Sequence, residues 1–240
     1  MSAGHSLRVV GPGRAGGSLA AALGSAGWEV RAPLGRSDEL TRAAQEVDLL
    51  VIATPDAAIA EVAASIEPVT STVVAHLAGS LGLSVLEGHE RRAALHPLVS
   101  LPSAEIGAER LRDSAWFAVA GDPLVEEVVS DLGGRSFTVD DDDRAVYHAA
   151  ACVAANHLVA LMGQVERLAG SVEVPFDAYL DLARDTFDNM ASLGPADALT
   201  GPAARGDEET ISRHLAALDR IEHPTYEALA AEARRLAADR

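Results

Sequence analysis

The chain has 240 residues, 48% of them hydrophobic and 23% charged, with a formal net charge of −17. That mixture suits one large folded domain or two modest ones and excludes disordered and collagen-like classes. The negative field repels phosphate backbones and anionic headgroups, so neither nucleic acid nor a membrane surface is expected as a partner. All 19 basic residues are Arg, which excludes Schiff-base chemistry, a P-loop lysine and a lysine general acid. The one cysteine, Cys152, can form neither an intramolecular disulfide nor a thiolate metal cluster. With no secretory pattern after Met1, a cytoplasmic protein is expected.

In chain order, LRVVG from Leu7 predicts a strand, followed by a glycine turn and an Ala/Leu helix that ends near Gly27. WEVRAPLG predicts a second strand and LLVIAT a third, with a helical stretch around 40–47 between them. The unbroken apolar run of LLVIAT suits a strand covered on both faces. A helix over DAAIAEVAASI comes next, then strands TVVAHLAG, RRAALHPLV, WFAVAG and RSFTV, with a helix after Pro123 between the last two. At Asp140 the strand signals stop, and 141–240 reads as helices over about 144–169, 176–192, 207–219 and 224–239. The expectation is an α/β fold: an N-terminal doubly wound parallel sheet of Rossmann type over 1–140 and an all-helical domain over 141–240.

Ala145–Met162 approaches membrane-span length but carries His148, Asn156 and His157, so a buried core helix is the expected form. The run Asp140–Asp143 is either a cation site or, in preference, a solvated connector with Asp143 capping the long helix.

Gly11-Pro12-Gly13-Arg14-Ala15-Gly16 matches the dinucleotide fingerprint between a strand and a helix. Gly11 permits the tight turn, Gly13 lets backbone approach a pyrophosphate, and Gly16 lets the helix pack on the sheet, with the helix N-terminus facing the phosphates. The usual acidic residue after the second strand is missing, and Gly35-Arg36-Ser37 stands there instead. A guanidinium and a hydroxyl suit a 2′-phosphate, so NADP(H) is preferred over NAD(H), although Arg36 is equally readable as an exposed loop residue. Thr54 and Pro55 lie at the carboxyl edge of the sheet and are expected to line the cofactor, and Asp56 caps the next helix, lines the site, or does both. Ala78-Gly79-Ser80 forms a similar loop.

His96, at a strand end before Pro97, is placed to donate a proton to a substrate oxygen or else to hold a turn. His148, Cys152 and Asn156 recur every four residues and so share a helical stripe that faces substrate or core. One His and one Cys leave a metal set incomplete, and no metal is expected. In Thr200-Gly201-Pro202-Ala203-Ala204-Arg205-Gly206-Asp207, Arg205 either clamps a substrate carboxylate or pairs with Asp207, which is placed to cap the next helix.

GPGRAGGSLAAAL, VIATPDAAI, the HLAGS loop, LHPLVSLP, YHAAACVAANHLVAL and ALTGPAARGDEETISRHLAAL together resemble a two-domain Rossmann-like oxidoreductase family. Its C-terminal helical domain is of formerly unknown function (DUF2520-type), and it is related to ketopantoate reductase, pyrroline-5-carboxylate reductase and the 6-phosphogluconate dehydrogenase-like proteins. The resemblance implies NADPH-dependent reduction of a small keto acid such as ketopantoate, with substrate between the domains and a homodimer formed by the helical domain. It places cofactor on Gly11, Gly13, Arg14, Gly16, Arg36 and Ser37, and substrate near His96, His148, Asn156, Asn189, Thr200 and Arg205. One departure stands out: where the hydroxyacid and ketopantoate enzymes carry a Lys four residues before an Asn, this chain has Cys152 before Asn156. His96 or His148 then protonates the carbonyl, or the reaction is an imine reduction, or the protein binds NADPH without catalysis and contacts a partner.

Overall fold

The computed structural model describes residues 4–238, which divide into two compact units, Met1–Ala155 and Asn156–Arg240. The division falls fifteen residues beyond the expected boundary at Asp140, because the first helix after the sheet places Arg144, Tyr147 and His148 among residues of the first unit.

The first unit is built on a seven-stranded sheet in the order β2-β1-β3-β4-β5-β6-β7. The strands are β1 (Ser6–Val10), β2 (Glu29–Val30), β3 (Leu49–Ile52), β4 (Val73–His76), β5 (Arg92–Pro97), β6 (Trp116–Gly121) and β7 (Arg135–Thr138). All neighbours pair in parallel except β5 and β6, which are antiparallel, so the sheet is mostly rather than wholly parallel. Every residue of β3 and β4 is buried, as expected of strands covered on both faces. The two-residue period shows in the core: Leu49, Val51, Val73 and Ala75 face one layer with Leu7, Leu19 and Phe117, while Leu50, Ile52 and Val74 face the other with Ile59 and Leu86.

The helices of this unit are α1 (Arg14–Ser25), α2 (Ile59–Ala64), α3 (Ala104–Leu111), α4 (Leu124–Asp131) and α5 (Arg144–Cys152). Residues 40–47, expected as a helix, form turns instead. Helix α3 has no counterpart in the expectation. Ser103 caps it by accepting Ile106 N–H, and it lies so close to α1 that a Cβ on Gly107 would collide with Ser18 Oγ. Asp143 occupies the cap position of α5 but its side chain accepts no capping bond, and Asp141 instead takes the Arg144 Nε–H at 2.9 Å.

A π-helical turn, Val153–His157, follows α5. The second unit contains α6 (Leu158–Ser171), α7 (Phe176–Leu193), α8 (Pro195–Ala198), α9 (Pro202–Arg205), α10 (Glu208–Ala217) and α11 (His223–Ala238), with no strand among its described residues. Its firmest polar contact is buried Glu222, which accepts a two-pronged bond from Arg167 at 2.8 and 2.9 Å, while Gln164 Nε2 donates to the Glu222 carbonyl at 2.9 Å. Asp207 caps α10 by accepting Thr210 N–H at 3.0 Å. The run Asp141–Ser171 is long and apolar enough to cross a membrane by length and composition. It is not the buried core helix expected, since no residue over 145–160 is buried and Val146, Val153 and Val159 are 72%, 58% and 73% exposed.

Candidate active site

Gly11 adopts φ +91°, a conformation that side chains disfavour, and a Cβ there would lie 2.8 Å from the Ala53 carbonyl. This contact brings the turn after β1 against the end of β3. At Gly16 a Cβ would collide with Gly11 O and sit 2.8 Å from Val9 Cγ1, whereas at Gly13 nothing lies within 4 Å. The three glycines therefore do different jobs: two allow the backbone to close on itself and the third leaves open space before a helix N-terminus.

Helix α1 has Gly13 at its cap with no side-chain capping bond and no acidic residue in its first turn, so its leading N–H groups remain available to an anion. Arg14 is exposed and Ala15 half-buried beside them. Thr54, at the carboxyl end of β3, has a buried hydroxyl oxygen without a partner, the kind of polar atom that a bound ligand satisfies. Pro55 is exposed next to it. These features fit a dinucleotide. Asp56 does not cap the following helix as one expectation had it; its carboxylate accepts the Ser80 hydroxyl at 2.9 Å and ties the loop after β3 to the loop after β4.

Arg36 and Ser37 are both exposed on the loop that follows the Val10–Leu34 bridge. Asp38, one residue further and passed over in the sequence, folds back to accept the Gly35 N–H at 2.6 Å. Its carboxylate closes the turn that presents Arg36 and Ser37.

At the carboxyl edge of β4 and β5 the chain brings together Gly79, His96, Tyr147 and His148. His96 Nδ1 lies 2.5 Å from the Tyr147 hydroxyl, and the His148 ring stands edge-on to His96 at 6.1 Å. A Cβ on buried Gly79 would be 2.9 Å from His96 Nε2 and from His148 Cδ2, so only glycine lets both rings approach. Burial, reinforced by the charges of His148, Arg144 and His76 against a smaller opposing pull from Asp56, brings the His96 pKa down to about 4. The ring is thus neutral at physiological pH.

Tyr147 opens the YHAAA segment of the resemblance but had no assigned role in the site; its place one residue before His148 was the available signal. Arg144 is 1% exposed, and both its Nη atoms are buried without an acceptor. His148 Nε2 and Cys152 Sγ lie 4.0 Å apart, as their i, i+4 spacing requires. Asn156 falls inside the π-helical turn and is exposed, in the second unit.

Arg205, Asn189 and Thr200 are likewise exposed residues of the second unit. Among the described residues Arg205 forms no ion pair within 4.0 Å; Asp207 accepts from Thr210, and those bonds, aided by the charges of Arg205 and Arg213, hold its carboxyl below the ordinary value. Gly201 and Gly206, with φ +95° and +67°, shape the segment around it.

Residues 117–233, which include the YHAAA and TGPAARGD segments, match the family model described as a domain of unknown function (DUF2520). The resemblance carried by those two segments is borne out. Comparison with curated proteins gives no match. Among solved structures, this chain is similar to a Bacteroides fragilis protein described as a candidate NADP oxidoreductase, with 23% identity, 97% of this chain and 98% of that chain covered, and a TM-score of 0.81. It is similar to a Plasmodium falciparum pyrroline carboxylate reductase with NADP bound (14% identity, 98% and 99% covered, TM-score 0.63). A third is an Aspergillus terreus reductive aminase (15% identity, 98% and 94% covered, TM-score 0.69). At these identities the likeness shows the fold: a Rossmann-type α/β unit followed by a helical part.

Proposed function

We propose that this protein is a cytoplasmic NADPH-dependent oxidoreductase that reduces a small 2-oxo acid, with ketopantoate the first candidate. The observation that carries the reading is the coexistence, in one unit, of a glycine turn open at Gly13 before an uncapped helix and a half-buried imidazole pair at the same sheet edge. Gly11, Gly13, Arg14, Ala15 and Gly16 would hold the pyrophosphate, Thr54, Pro55 and Gly79 the remainder, and Arg36 and Ser37 a 2′-phosphate. When bound, the reduced nicotinamide supplies hydride to the carbonyl carbon. The chain's own part is to orient the carbonyl and deliver a proton to its oxygen. With no lysine in the sequence, His96 is the donor of first choice and His148 the second. In the second unit, Arg205 offers a guanidinium without an ion pair to a carboxylate.

An imine substrate is the second reading, favoured by the likeness to pyrroline carboxylate reductase and reductive aminase structures. Binding of NADPH and NADH followed by fluorescence, then turnover with ketopantoate, other 2-oxo acids and cyclic imines, decides between them. Consumption of NADPH with one keto acid supports the first reading. Turnover restricted to imines moves the second ahead, and tight NADPH binding with no turnover leaves a nucleotide-binding protein without catalysis.

We also infer a homodimer. Ala169 and Ile211 are the only buried apolar side chains among the described residues of the second unit, and Val159, Leu182, Phe187 and Leu193 are 47% to 73% exposed. Helical units of this size need a larger core than that, and a second copy would provide it.

A further inference from the structure

The His96–Tyr147 pair carries an inference about how a proton reaches the reduced atom; it rests on the reductase reading above. The two rings meet edge-on, with centroids 5.5 Å apart and 2.5 Å between Nδ1 and the hydroxyl oxygen. Burial pushes the Tyr147 pKa up, opposed by the Arg144 charge, so the phenol keeps its proton at neutral pH. His96 is neutral there too and carries a single N–H. The phenol is the stronger acid of the two, so its O–H donates and Nδ1 accepts. The ring proton is then left on Nε2, the nitrogen that lies against Gly79 at the carboxyl edge of β4.

We propose that Tyr147 is a positioning residue that locks His96 in the Nε2–H tautomer and refills Nδ1 as Nε2 delivers its proton to the substrate. The balance closes within named groups. An electron pair on the substrate oxygen forms an O–H bond as the His96 Nε2–H bond breaks. In the same relay the Nδ1 lone pair takes the phenolic proton; the starting state returns when water protonates Nε2 and Nδ1 hands its proton back to the phenolate.

Arg144 gives this relay its electrostatic support. It is buried, its Nε is paired with Asp141, a residue 62% exposed, and neither Nη has an acceptor. Its largely uncompensated charge favours the phenolate over the phenol. The other groups that bear on His96 are His148, Asp56 and His76. A neutral imidazole that avoids becoming an anion by drawing on a neighbour can act at a pH where an imidazolium of pKa about 4 would be scarce.

Long-range proton–nitrogen correlation spectra of the full chain with ¹⁵N-labelled histidine test this without any substrate, with His96→Gln assigning the signals. At pH 7 His96 should show a protonated Nε2 and an accepting Nδ1, and Tyr147→Phe, folded by circular dichroism, should shift the Nδ1 signal and mix the tautomers. In turnover with whichever substrate is found, Tyr147→Phe should lower kcat by roughly 10²-fold with little change in KM. The proton inventory should then pass from two protons in flight to one. A His96 protonated on Nδ1 at pH 7, or spectra unchanged by Tyr147→Phe, would overturn the proposal. Lack of turnover with every substrate offered counts against the reductase reading alone, because the nitrogen spectra judge the tautomer independently.

Discussion

Gly16 and Gly13 look interchangeable in the fingerprint, yet their surroundings separate them. A methyl group at Gly16 meets the Gly11 backbone carbonyl and Val9, neither of which can yield without moving β1, so Gly16→Ala should cost about 2 kcal/mol or more. At Gly13 the methyl group meets nothing, and Gly13→Ala should change stability by no more than about 1 kcal/mol while weakening NADPH binding at least tenfold. Urea unfolding set beside fluorescence titration separates the two effects. His96 brings a pH dependence of stability. Its pKa is about 4 in the fold and near 6.5 in the unfolded chain, so unfolded protein binds the extra proton between those values. Its favourable contribution is intact above pH 6.5 and is lost as the pH falls toward 4, by on the order of 3 kcal/mol. His76, whose pKa burial also lowers, acts in the same direction. His96→Gln should flatten the fall in urea midpoint between pH 7 and pH 4.5, and an unchanged slope would count against the buried neutral imidazole.

At the scale of elements, local pattern was legible where one face or both are apolar. LLVI and VVAH are continuous apolar or buried runs, and both are strands of the sheet centre. Helix α3 is masked in the sequence because AEIGAERL is short, mostly charged or small, and interrupted by a glycine; its position is decided by contact with α1, which needs Gly107 and Ser18 to pass closely. Gly107→Ala should therefore destabilise the first unit by about 1–3 kcal/mol despite the higher helix propensity of Ala. A gain in thermal stability would show that the two helices can part at little cost. The π-helical turn was equally hidden, since CVAANH reads as ordinary helix. Strand direction is another tertiary property: the antiparallel pairing of β5 and β6 follows from the path of the intervening α3 segment and leaves no mark on either strand's sequence.

For the whole molecule, the two units differ in how much apolar surface they hide. The first has two contiguous cores on either side of its sheet, while the second has two buried apolar side chains among its described residues. A dimer formed through the second unit should therefore show a melting temperature that rises with protein concentration. Sedimentation equilibrium should report twice the chain mass, and Val159→Glu should return it to one chain. A monomer that melts independently of concentration would remove the homodimer.

Composition and order along the chain were sufficient for the fold class, the glycine turn and the absence of lysine, because these depend on residue type and on neighbours within one or two turns of chain. The fingerprint alone assigns Gly11, Gly13 and Gly16 separate tasks. The pairing of His96 with Tyr147 could not, since 51 residues separate them and only the meeting of α5 with the ends of β4 and β5 brings them to 2.5 Å. Burial decided the rest. His96 is a neutral imidazole and Arg144 a buried cation whose Nη atoms lack acceptors because of what surrounds them in space, and solvent exclusion is a property of the packed chain that no local pattern encodes.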